Sequence, residues 1–163
     1  MAARDGSGEE RQRLDLAEAA QTLLDECRMV LPGVQALFGF QLIAVFNTRF
    51  ADELSSGEQE LHLLAIALVA LSAALIMTPA AVHRHRGPRE VTTTFLAVST
   101  RLLLAGMIPL AIALSLDFFL IARLIVGEPP ALPLAMGLFA ILGFLWLVFP
   151  RWGRLHFLLG PRS

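Results

Sequence analysis

Four stretches of this chain are almost free of charge, and each is long enough to cross a bilayer. Residues 29–48, 61–83 and 129–150 contain no acid and no arginine, and residues 102–122 contain only Asp117. A helix rises about 1.5 Å per residue and a hydrocarbon core is about 30 Å thick, so about 20 apolar residues span it. In lipid every backbone N–H and C=O must be satisfied within the segment, which makes helix the expected conformation. A soluble helical protein would show a polar stripe every three to four residues. Residues 63–82 (LLAIALVALSAALIMTPAAV) offer only Ser72 and Thr78. The expected fold is all-α: an integral membrane four-helix up-down bundle with spans near 30–48, 61–82, 98–125 and 131–149. Short single connections make sequential antiparallel neighbours.

Composition closes off other classes. The chain is 56% hydrophobic and 17% charged, and its 13 basic and 14 acidic residues leave a net charge of −1. A nucleic-acid partner, which needs a basic surplus, is not expected. There is no lysine for a Schiff base or a phosphate loop, and the single cysteine, Cys27, excludes an intrachain disulfide and a four-cysteine metal site. No nucleophile–base arrangement or phosphate-binding loop is present, so no enzymatic activity and no cofactor are expected. Haem would need two histidines at one depth; His62 falls at the outer end, and only an inner pair such as His83 with His156 is conceivable.

The near-zero total hides a polarised molecule. Eleven arginines and eight acids fall on the side that holds both termini, counting Arg101, against two arginines (Arg49, Arg123) and five acids on the other. The positive-inside rule then places both termini in the cytoplasm. Trp146 and Trp152 bracket the inner end of span 4 as interfacial anchors.

Residues 1–28 read as a cytoplasmic segment. Residues 1–6 are expected to be disordered, and Ser7-Gly8-Glu9-Glu10 fits a capping box that starts an amphipathic, net acidic helix near residue 8. Pro32 suits either the first turn of span 1 or a break before it. Ser55-Ser56-Gly57 reads as an outer turn, Gly87-Pro88 as the inner one, and residues 151–163 as a cytoplasmic tail. Ala70, Ala73 and Ala74, with Gly137 and Gly143, are the expected close-packing positions. Pro109 is expected to kink span 3.

Polar groups at membrane depth are costly, about 2.5–3.5 kcal/mol for Arg or Asp at a helix centre, so they make the candidate site. Asp117 is the deepest acid; it reads as a proton or cation site, or as half of an ion pair with Arg49 or Arg123. Span 1 carries Gln35, Gln41, Asn47 and Thr48, with Gln35, Phe38, Leu42, Phe46 and Arg49 along one face. Such amides bond between helices or line a wet path. Glu26, Arg28, His83, Arg84 and Arg101 gather at the inner end as a gate, a headgroup site or a packed rim. The full candidate set is Glu26, Arg28, Gln35, Gln41, Arg49, His83, Arg84, Arg101 and Asp117.

Glu26-Cys27-Arg28, Gly33-Val34-Gln35, Phe38, Phe46, Arg49-Phe50, the run Pro79-Ala80-Ala81-Val82-His83-Arg84 and Arg101 carry a resemblance over residues 23–127. This pattern resembles a family of small bacterial four-span membrane proteins catalogued as a domain of unknown function, some members labelled sodium/proton antiporters. The resemblance implies that Glu26, Arg28, Gln35, Arg49, His83, Arg84 and Arg101 are family features, and that the bilayer is a bacterial inner membrane. Four helices enclose little room, so a small-ion path implies a homo-oligomer with span 1 at the axis or interface. The alternative is an accessory or scaffold protein that binds a partner or lipid headgroups without transport.

Overall fold

The structure, a computed structural model, describes the backbone of residues 2–86 and 92–150 and the side chains of residues 14–85 and 92–150. The described chain is helical almost throughout. α1 spans Ala2–Val45, α2 Thr48–Glu53, α3 Ser56–Arg86, α4 Thr93–Val126 and α5 Glu128–Gly143, followed by a π-helical turn at Phe144–Val148. α1, α3, α4 and α5 together with its π-helical turn (Glu128–Val148) are long and apolar enough to cross a membrane, which points to a multi-pass membrane protein. Large side chains such as Phe40, Ile43, Phe46, Leu63 and Ile125 are exposed, as lipid-facing positions would be.

α1 differs from expectation. It begins at Ala2, not near residue 8, and continues unbroken through Pro32. A helical proline removes one hydrogen bond and crowds the carbonyl four residues back. Here Pro32 is exposed, and the packed stripe passes on the opposite side. That stripe is Ala20, Leu23, Cys27, Val34 and Gln41, spaced in threes, fours and sevens, so α1 touches its neighbours along one narrow seam. The Ser7 capping box, the inner turn at Gly87-Pro88, Trp152, His156 and the tail lie outside the described side chains.

α3 carries the matching seam: Glu58, His62, Ala65, Val69, Ser72, Ile76 and Pro79 are all buried. Gln41, near the end of α1, meets His62, near the start of α3, so the two helices run antiparallel. Glu58 at the start of α3 meets Arg123 at the end of α4, and His83 stacks near Phe95 at 6.0 Å, so this pair is antiparallel as well. α3 and α4 make the most extensive contact, which includes Gly106, where an added Cβ would stand 3.2 Å from Ile76 Cγ1 and 3.4 Å from the Ser72 carbonyl oxygen. α4 has a second buried stripe, Ala111, Ser115 and Ala122, and α5 packs onto α4 with Ala131 and Ala135 buried. Only Gly127 separates α4 from α5, with φ of +87°, a conformation that favours glycine.

Close packing therefore falls at Gly106 and the buried alanines. Ala70 and Ala74 are exposed, and a Cβ added at Gly137 or Gly143 would meet nothing within 4 Å; of the expected positions only Ala73 packs against the core. Pro109 is buried within α4 without ending the helix. The packing order is an open row, α1–α3–α4–α5, with α1 also reaching α4. Between α1 and α5, over α4, it leaves a crevice.

Candidate functional site

The three helices that meet at the α2 end of the molecule each contribute one polar side chain to a common point. Gln41 lies on the α1 seam, four residues before Val45; His62 lies on the α3 seam, six after Ser56; Asp117 lies nine residues before the end of α4. At about 1.5 Å per residue the carboxylate sits about 14 Å from that helix end. Gln41 and His62 are buried, and Asp117 is nearly so. Gln41 Nε2 donates to Asp117 Oδ2 at 2.6 Å, His62 Nδ1 stands 3.2 Å from Asp117 Oδ1, and His62 Nε2 stands 3.0 Å from the Gln41 carbonyl oxygen.

With both ring nitrogens hydrogen-bonded, these contacts set the proton inventory. A carbonyl oxygen only accepts, so Nε2 of His62 carries a hydrogen. A neutral imidazole has one N–H, which leaves Nδ1 bare and facing a carboxylate oxygen. Two acceptors do not bond. The His62–Asp117 contact therefore needs one further proton, held either on Nδ1 as an imidazolium–carboxylate pair or on Asp117 as a neutral acid. Either way the pair is neutral overall.

Local structure around the triad holds it in place. Asn47 caps α2 by accepting from the Arg49 N–H at 3.1 Å, and α2 carries Phe50 to a tilted contact with the His62 ring, centroids 5.3 Å apart. One turn before His62, Ser55 N–H and Oγ–H both donate to Glu58 Oε2, at 2.8 and 2.7 Å, which starts α3. Arg123 then grips the same carboxylate with two nitrogens, Nη2 at 2.6 Å from Oε2 and Nε against Oε1. Both charges sit at helix ends that favour their sign.

Asp117, expected to pair with Arg49 or Arg123, pairs with neither. Arg123 is occupied by Glu58, and Arg49 lies exposed at the rim of the crevice. The crevice has a volume of about 890 Å³, with Gln41, His62 and Asp117 on its polar floor and leucines and phenylalanines on its walls. Gln41 Oε1 is buried and accepts no hydrogen bond among the described residues.

The inner residues divide. Arg28, His83 and Arg84 line a second, smaller cavity of about 480 Å³ between α1 and α3. Glu26, Gln35 and Arg101 do not line it. Arg28 also makes an exposed ion pair with Asp25 at 3.3 Å. Of the expected set, Gln41, Arg49 and Asp117 meet at the crevice and Arg28, His83 and Arg84 at the inner cavity, and His62, Phe50 and Glu58 are additions. Two signals for them were legible: Ser55-x-x-Glu58 is itself a capping-box spacing, and His62 lies seven residues before Val69 and four after Glu58, on one helical face. Among the described residues no group of three or more His, Cys, Asp or Glu side chains could hold a metal ion.

No curated protein and no solved structure matches this chain. A family model, described as a family of unknown function (DUF6328), matches residues 8–150. With the match running from the first turns of α1 to the end of the last described helix, the chain belongs to that family.

Proposed function

We propose that this protein is an ion channel or transporter of the bacterial inner membrane that moves protons or another small cation through the Gln41–His62–Asp117 centre. The observation that carries this reading is the contact between His62 Nδ1 and Asp117 Oδ1, which stands only while the pair holds a proton. An ionisable pair buried at membrane depth is expensive to keep and marks ion or proton pathways. The functional centre thus moves from the cytoplasmic side, where the sequence pointed, to the opposite half of the helices. The arginine distribution supports cytoplasmic termini, which puts the centre near the outer face.

A homo-oligomer completes the proposal. Gln35 presents an amide on the exposed side of α1, with no hydrogen bond among the described residues. In lipid an amide gains from a partner across helices, and a second copy supplies one. Reconstitution tests the function. Proteoliposomes with a pH-sensitive dye inside should acidify or alkalinise under an imposed gradient, with or without Na⁺ or K⁺. Asp117→Asn should cut the rate by about tenfold or more, since a proton relay loses its titrating group. Absence of flux for protons, Na⁺, K⁺ and Cl⁻ across several pH values would refute the reading. A second reading, an accessory protein that holds lipid headgroups, draws support from Arg28, His83 and Arg84 around the inner cavity.

A further inference from the structure

The proton held by His62 and Asp117 sits on the floor of a crevice far larger than a proton needs, and the chemistry of that crevice specifies an occupant. We propose that the crevice between α1 and α5 binds a small amphiphilic amine, its ammonium group on Asp117 and its apolar body along the leucine walls, and that binding displaces the shared proton. The proposal rests on the proton-holding reading of the triad and extends it to a ligand class.

Three observations carry it. The volume, about 890 Å³, lies within the range of about 300–1,000 Å³ typical of small-molecule sites. The walls are apolar: Leu37 and Phe40 from α1 face Leu138 and Leu142 from α5. The floor offers an acceptor, because Asp117 lines the crevice and retains lone pairs beyond its two contacts. Every hydrogen of a primary ammonium is a donor, so it fits that carboxylate. An anionic amphiphile would place its charge against Asp117.

Charge balance supplies the coupling. With the shared proton the His62–Asp117 pair is neutral; without it the pair carries one negative charge. An ammonium on Asp117 restores neutrality, so proton and amine exclude each other. The other ionisable groups around the floor do not substitute. Arg49 and Glu53, on α2, line the rim with opposite charges. Glu58 of α3 and Arg123 of α4 neutralise each other. The α5 wall contributes Leu138 and Leu142. Amine affinity should therefore rise with pH until the proton is gone.

The test uses radiolabelled octylammonium and the full chain in nanodiscs, with empty nanodiscs as the blank. The expected result is saturable binding that tightens as pH rises, with proton release on binding. Asp117→Asn should weaken it by about tenfold or more, the loss of one charge-assisted contact. Ala44→Trp narrows the crevice without touching the charge and should also weaken binding, which covers the case in which the Asp117 variant fails to fold. Octanoate should not compete. Binding no greater than to empty nanodiscs, equal competition by octanoate, or wild-type affinity in Ala44→Trp would each overturn the proposal. Proton flux that persists while octylammonium fails to bind removes the amine and leaves the proton reading standing; octylammonium binding without flux does the reverse.

Discussion

At the scale of single residues, the chemistry turns on one histidine between a carbonyl and a carboxylate. Its Nε2 is committed to the Gln41 carbonyl oxygen, so its Nδ1 reaches Asp117 only through an extra proton. His62→Gln should therefore keep a side chain in place but lose proton flux, a split that a purely structural histidine would not give. Asp117 was legible in the sequence as the one acid within a span, but its partners were not. Arg49 and Arg123 lie at a matching depth in sequence, and a depth argument contains no information on which helix face points inward. His62 was placed at the outer end and left out of the candidate set because it stands only two residues into a charge-free block, where a histidine reads as an interfacial group. Residue charge could be read from the chain; the pairing needed the register between α1, α3 and α4.

Among the elements, the α3–α4 pair is the framework on which the site rests. Gly106 brings the two helices close enough that even a methyl group would crowd Ile76 and Ser72. Gly106→Leu should destabilise the fold by about 1–3 kcal/mol, as overpacking does, seen as lost protection in thermal unfolding in detergent. The Glu58–Arg123 grip fixes the other end. It is largely shielded, so Arg123→Gln should cost about 1–3 kcal/mol, and a double-mutant cycle with Glu58→Gln should recover part of it. Helix existence and approximate length were readable because charge-free runs announce spans. The seams were not, because outward faces toward lipid are as apolar as inward ones, and hydrophobic periodicity then vanishes. The small and polar residues mark the seam instead: Ala20 and Gln41 on α1, Ala65 and Ser72 on α3, Gly106 and Ala113 on α4. The continuity of α1 through Pro32 was also hidden, since proline is equally at home in a first turn.

At the scale of the whole molecule, the helices form an open row, and the crevice is the space that row does not close. Asymmetry of charge sets the expected orientation. A cysteine placed at Gly57, in a Cys27→Ala background, should react with an impermeant maleimide from outside intact cells, and one placed at Thr93 only after permeabilisation. The exposed amide of Gln35 predicts assembly: Gln35→Cys should cross-link between copies under oxidation, and a monomer band alone would leave the proposed oligomer without support.

The claim beneath all of this is that His62 presents Nε2–H to Gln41 and shares a further proton with Asp117. Nitrogen-15 NMR of the His62 ring in bilayers reads it directly. Nε2 should be protonated, with Nδ1 either protonated in an imidazolium or accepting a hydrogen bond from the Asp117 acid. A neutral ring with its hydrogen on Nδ1 and a bare Nε2 would contradict it.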